Sequence, residues 1–141
     1  LKYRQEVIYT SKYLKIINDS KSTTLSSTIP FLETNEKIFW ILGGLFKKGD
    51  KFNLNKKYYK NLEAYVYGKD RYIFYKLFKN KFKVTLSKDL KNTLKLIPKF
   101  KNVKSKVTVL FSPSAASFDQ YKNFEDRGRK FNMLIKRYLP V

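Results

Sequence analysis

The chain has 141 residues and a formal charge of +20, from 31 Lys and Arg against 11 Asp and Glu; 43% of it is hydrophobic, and it has neither cysteine nor histidine. That is one domain's worth of chain, with enough apolar side chains to bury a core. The absent residue types exclude a disulfide framework, a thiolate metal site and histidine acid–base chemistry, and no apolar run approaches the ~20 residues of a membrane-spanning helix.

Glu6 to Tyr9 and Tyr13 to Asn18 flank the polar Thr10-Ser11-Lys12 and predict a strand pair. Asp19 to Thr23 reads as a polar cap before Leu25, Ile29 and Leu32, a helical spacing that Pro30 bends or shortens. Ile38 to Leu42 is a continuous apolar strand of the buried parallel kind, broken by Gly43-Gly44. A short helix is predicted at Leu54 to Tyr59 and a strand at Ala64 to Tyr67. A helix over Lys69 to Phe78 follows, with Tyr72, Tyr75 and Leu77 on its buried side. Phe82 to Leu86 is a strand, and Ser87 caps a helix carrying Leu90, Leu94 and Ile97. Val107 to Phe111 is the last strand. Ser117 is the predicted cap of a long final helix whose apolar positions begin at Phe118. Strands alternating with helices over short connections give an α/β fold. The expectation is a Rossmann-like, three-layer domain with a mostly parallel sheet and helices on both faces.

Such sheets bind ligands beyond the carboxyl ends of their strands, and three loops there stand out. Asn18-Asp19-Ser20-Lys21-Ser22-Thr23 gathers a carboxylate, an ammonium and hydroxyls at a helix start, although a plain N-cap accounts for one of them. Gly43 to Lys51 imitates a phosphate-binding Walker loop but fails it. The second glycine of that motif is followed at once by Lys and then Ser or Thr, whereas here Gly49 is followed by Asp50-Lys51-Phe52. The uncharged Ser112-Pro113-Ser114-Ala115-Ala116-Ser117 lets a small anion approach backbone N–H groups at a helix start. A tightly packed crossover explains the same small residues equally well.

Four stretches, in this order, resemble the C-terminal domain of the Mur ligases, most closely their D-glutamate-adding branch. They are Leu1-Lys2-Tyr3-Arg4-Gln5-Glu6, Asn18 to Thr23, Trp40-Ile41-Leu42-Gly43-Gly44, and Ser112 to Gly128 with its run Ser117-Phe118-Asp119-Gln120-Tyr121-Lys122-Asn123-Phe124. The middle, Lys51 to Lys106, matches in pattern only. The resemblance implies a three-domain, ATP-dependent, amide-forming enzyme of peptidoglycan synthesis in the cytoplasm. One domain holds the UDP-sugar, a central one holds ATP and magnesium, and the third brings the amino acid. Residues 1–18 would then be the end of the central domain and a lead-in strand, and residues 19–141 the C-terminal domain. By the same resemblance Thr23, Lys47, Ser117 and the N–H of Phe124 contact D-glutamate. Arg4 and Asp19 meet the nucleotide, Lys21 faces the phosphate as the catalytic group, and no residue is assigned to a metal. UDP-N-acetylmuramoyl-L-alanine would be bound by the other two domains, on the same product or on a separate chain. Without a Walker loop this chain is expected to be inactive alone. Departures from the family pattern are Tyr3 for a usual His, Ser22 for a common Ala, Pro30 in an Ala-rich helix, and Leu45-Phe46 before Lys47, which leaves Lys48 as the alternative lysine.

The positive charge also admits a basic nucleic-acid-binding module. Lysine greatly outnumbers arginine, however, and Lys, Asn, Ile, Tyr and Phe are enriched together, as AT-rich codons would make them. Clusters such as Lys47-Lys48, Lys56-Lys57 and Lys79 to Lys83 read as solvated faces. A third alternative is the relic of a split reading frame that keeps its fold without its function.

Overall fold

The computed structural model describes residues 2–141. Its six strands are β1 (Glu6–Thr10), β2 (Leu14–Asn18), β3 (Lys37–Gly43), β4 (Leu62–Tyr67), β5 (Lys83–Leu86) and β6 (Val107–Phe111). They form one sheet in the order β1-β2-β6-β3-β4-β5, with β1 antiparallel to β2 and every other pair parallel. Four α-helices cover it: α1 (Leu25–Leu32), α2 (Arg71–Phe78), α3 (Leu90–Leu96) and α4 (Phe124–Arg137). The short helix expected after Leu54 is a 3-10 turn over Lys56–Asn61. The α/β class and the mostly parallel sheet are as the alternation predicts.

Side chains alternate across the central strands, so the sheet has a core on each face. Ile38, Trp40 and Leu42 of β3 join Leu62, Ala64 and Val66 of β4 under α1 and α2. Phe39 and Ile41 join Tyr65, Tyr67, Val109 and Phe111 under α3 and α4. The second core includes Phe111 and Phe131 with stacked rings 4.2 Å apart. No helix among the described residues is long and apolar enough to cross a membrane.

Three local expectations are corrected. The buried residues of α2 are Phe74 and Phe78, while Tyr72 and Tyr75 lie at the surface. Phe74 and Phe78 are four residues apart and share one helix face, where they meet Phe46, Phe52 and Trp40. Helix α3 is capped by Asp89, which accepts the Asn92 N–H at 2.9 Å; the Ser87 hydroxyl donates to the Asp89 carbonyl instead. The final helix starts at Phe124, capped by Asn123, and not after Ser117. The Asn123 side chain accepts the Asp126 N–H at 2.8 Å, with Glu125 and Asp126 in the positive first turn and Lys136 and Arg137 in the last. Phe118 is accordingly exposed and contributes nothing to the helix's buried face. Pro30 is accommodated inside α1, which ends two residues later.

Because β6 lies between β2 and β3, the chain leaves neighbouring strands toward opposite faces. The connection from β2 enters α1 on one side, and that from β6 enters α4 on the other. The carboxyl ends of β2, β6 and β3 therefore border one crevice. Gly43 closes β3 there with φ +147, and a Cβ on it would fall on the Tyr67 carbonyl oxygen. Gly43→Ala should lower stability by at least about 2 kcal/mol, since strain and backbone overlap combine. Gly49→Ala, at φ +84 in open space, should cost only about 1 kcal/mol. Urea unfolding of the two variants against the parent checks the ranking.

Candidate functional site at the strand ends

The crevice is lined by a chain of buried hydroxyls. Ser112, just past β6, donates to Asp19 Oδ2 at 2.8 Å. Its Oγ also lies 2.6 Å from Thr28 Oγ1, which is 2.6 Å from Ser114 Oγ and 2.9 Å from Ser22 Oγ. Ser22 in turn meets Ser27 at 2.7 Å. Trp40 Nε1 donates to the Ser112 carbonyl at 2.8 Å, fixing the turn from beneath. These contacts explain the uncharged stretch after β6. Its side chains must be short enough to interdigitate with α1 and polar enough to satisfy one another out of water. Because α4 begins only at Phe124, the stretch itself does not sit on a helix N-terminus, and the packed-crossover reading accounts for its small residues.

Arg127 of α4 holds the loops together and is completely buried. Its Nη2 donates to the carbonyls of Ser20 (2.6 Å) and Ser22 (3.2 Å), its Nη1 to the Ala115 carbonyl (2.7 Å) and its Nε to Ser20 Oγ (3.1 Å). No carboxylate pairs with it among the described residues. Burial pulls its pKa down, and the nearby Tyr67, Asp119 and Tyr121 oppose that. Tyr67 lies beside the guanidinium but outside hydrogen-bonding geometry, so its hydroxyl is a buried side-chain polar atom without a partner. Burial also pushes the Tyr121 phenol up to about 12.

The third loop joins the same assembly. Leu45 and Ala116 exchange backbone hydrogen bonds of 2.9 and 3.2 Å, and the Gly43 N–H donates to the Pro113 carbonyl at 3.0 Å. Farther along, Asp50 Oδ2 accepts the Leu25 N–H at 2.6 Å, tying the lysine loop to the start of α1.

The residues singled out from the sequence are divided between two strand-end hollows, and Thr23, Ser117 and Phe124 line neither. Arg4, Asp19 and Lys21 line a hollow of about 350 Å³ with Gln5, Ser22 and Ser27. Asp19 accepts the Gln5 N–H at 3.0 Å as well as the Ser112 hydroxyl. A carboxylate has about four acceptor sites, so Asp19 retains capacity for a diol. Lys47 and Lys48 line a second hollow of about 300 Å³ with Thr24, Ser26 and Asp50. Thr23 is exposed immediately before Thr24, the cap of α1. Ser117 is buried, its carbonyl accepting the N–H groups of Gln120 and Tyr121, while its hydroxyl makes no hydrogen bond among the described residues. Phe124 opens α4, where Asn123 caps the Asp126 N–H and the Phe124 N–H has no intrahelical acceptor. No three carboxylates gather to hold a metal among the described residues. Two cations and a carboxylate around the 350 Å³ hollow do suit phosphates and a ribose. A larger hollow of about 450 Å³ lies away from these loops, between β1 and α4, and is lined mainly by apolar residues such as Ile8, Ile16 and Ile135.

The same architecture occurs in UDP-N-acetylmuramate-alanine ligase from Thermotoga maritima, which aligns with 99% of this chain at a TM-score of 0.63 and 17% sequence identity. In sequence, the UDP-N-acetylmuramoylalanine–D-glutamate ligase of Wolbachia pipientis is 34% identical over 93% of this chain. Those of Hydrogenobaculum and of Buchnera aphidicola from Schizaphis graminum are 34% and 38% identical over 98% and 96% of it. The chain is related to the Mur ligases. It corresponds to their C-terminal portion and spans 26%, 33% and 31% of the lengths of these three relatives. No family model matches the chain.

Arg127 and the hydroxyl chain escaped sequence reasoning. The one available signal was an arginine on the apolar side of a helix that also carries Phe131 and Ile135. Arg127→Met leaves three carbonyls without donors and should cost about 3 kcal/mol in urea unfolding. Arg127→Lys, with a single ammonium, should recover less than half of that. Asp19 gives a pH test. Burial raises its pKa above the ordinary 3.8, outweighing its bonds to Ser112 and Gln5 and the nearby Arg4 and Arg127. The native state therefore binds the Asp19 proton more tightly than the unfolded chain does. That contribution is complete below 3.8 and is lost as pH rises through the higher folded value. The stability of the parent relative to Asp19→Asn should fall as pH rises above 3.8, read from paired urea titrations.

Proposed function

We propose that this chain is the amino-acid-binding domain of an ATP-dependent ligase that joins D-glutamate to UDP-N-acetylmuramoyl-L-alanine in peptidoglycan synthesis, in the cytoplasm. The observation that carries the reading is the match to D-glutamate ligases over 93% to 98% of the chain, at 34% to 38% identity. The convergence of three strand-end loops supports it. Residues 1–18 bring the chain in from an ATP-binding domain, and residues 19–141 carry the amino-acid site. The alanyl substrate, ATP and magnesium are held by the remaining two-thirds of the ligase, whether on a longer product or on a partner chain, and this chain has no turnover alone. ATP with magnesium supplies activation of the alanyl carboxylate as an acyl phosphate.

The residues of this chain position the nucleophile. D-glutamate carries two carboxylates, which require a cation and several donors. Thr23 and Lys47 take one side of the amino acid. The Ser117 hydroxyl, without a hydrogen bond among the described residues, and the Phe124 N–H take the side-chain carboxylate. Arg4 and Asp19 meet the nucleotide across the 350 Å³ hollow, and Lys21 faces the phosphate that leaves. Holding the amine beside the activated carboxyl turns an encounter of several bodies into an oriented one.

The test joins this chain to the preceding two-thirds of the Buchnera relative and follows D-glutamate-dependent phosphate release. Lys47→Ala and Ser117→Ala should each raise the D-glutamate KM roughly tenfold to a hundredfold, the worth of a hydrogen bond to a charged group at about 1.5–3 kcal/mol. An effect of Lys48→Ala without one of Lys47→Ala moves the assignment to the neighbouring lysine. Absence of D-glutamate-dependent release in the parent rules the reading out.

A further inference from the structure

The Lys21 ammonium lies over the Phe124 ring, 5.4 Å from its centroid. Most other cation–ring contacts in the chain join near neighbours in sequence, such as Lys12 with Tyr13 and Arg71 with Tyr72. This one joins the loop after β2 to the first residue of α4. Both ends of the contact are fixed by bonds that do not involve it. Ser20 Oγ donates to the Phe124 carbonyl at 2.7 Å, Arg127 holds the Ser20 carbonyl, and the Lys21 N–H donates to the Tyr3 carbonyl at 2.9 Å. A free lysine samples many rotamers. Here the backbone presents one aromatic face to it, and the face of a ring attracts an ammonium.

The placement connects the two halves of the crevice. Lys21 lines the hollow that holds Arg4 and Asp19, while Phe124 directs its backbone N–H from the start of α4. We infer that the Phe124 ring is a positioning residue for Lys21, holding its ammonium at the boundary between the phosphate side and the amino-acid side. The inference rests on the proposed ligase reading and adds a role for the ring to that of the Phe124 N–H. Replacing the ring leaves the backbone donor in place, so the two roles separate: the ring acts on kcat and the N–H on the D-glutamate KM.

Two measurements test this. In NMR spectra of the 141-residue chain, the Lys21 ε-methylene protons should be shifted upfield by the ring. The shift should vanish in Phe124→Leu and persist in Phe124→Tyr. In the joined ligase, Phe124→Leu should lower kcat roughly two- to thirtyfold with the D-glutamate KM changed by less than about twofold, and Phe124→Tyr should restore it. In a Lys21→Ala background, Phe124→Leu should add nothing further, because the ring acts through that ammonium. Absence of the ring shift in the parent overturns the contact. A ring shift with unchanged kcat in Phe124→Leu, or an undiminished Phe124→Leu effect without Lys21, overturns the positioning role while leaving the ligase reading intact. If the joined parent shows no D-glutamate-dependent turnover, the ligase reading fails, and the ring contact is then structural only.

Discussion

A guanidinium shut away from water without a carboxylate beside it must be met by backbone carbonyls, and meeting that demand organises the crevice. Arg127 spends its donors on Ser20, Ser22 and Ala115, which lie in two loops leaving adjacent strands. Turns like these would otherwise be free to move independently. Bound to one planar, rigid fork, they keep a fixed separation. The same helix starts at Phe124, so the cation also sets where the helix's unpaired N–H groups lie relative to the loops. Gly128, the next residue, leaves room for the Tyr3 ring, against which a Cβ would lie 2.5 Å away. One turn of α4 thereby fixes the lead-in segment as well as both loops.

The hydroxyl chain does complementary work at lower cost in charge. Ser22, Thr28, Ser112 and Ser114 satisfy one another and Asp19 in a region where a lysine would be stranded without solvent. The molecule's many cations are consequently displaced to the rim, where Lys21, Lys47 and Lys48 remain exposed. A crevice with a rigid, nearly neutral floor and an exposed cationic rim suits an anionic ligand. The floor does not need to reorganise when charge arrives, and the rim supplies attraction without a desolvation penalty in the free state.

Much of this was legible in the sequence, and the limits were physical. Apolar runs such as Ile38 to Leu42 and Val107 to Phe111 report strands reliably because buried parallel strands need side chains on both faces. The alternation of strand and helix then dictates the class. The boundary of α4 was misplaced because Ser117 and Asn123 are equally good caps by residue type, and only the turn closed by the Ser117 carbonyl decides between them. On α2, Tyr72 and Phe74 are both aromatic, and the choice of buried face was made by Trp40 and Phe52, residues remote in sequence. The hydroxyl chain joins Ser22 to Ser114 through Thr28, residues far apart in sequence. No local pattern encodes the insertion of β6 beside β2.

That insertion also orders events in time. Strand β6 arrives last yet occupies the middle of the sheet, so until residues 107–111 are in place β2 and β3 each present an open edge to solvent. Unpaired edges invite pairing with other chains, and the sequence separation of β6 from β2 makes its docking a slow, non-local step. The sheet therefore remains split until residues 107–111 dock between β2 and β3. The seam that closes at that moment is the one on which the crevice stands, so a chain that halted early would have neither a sealed sheet nor a site.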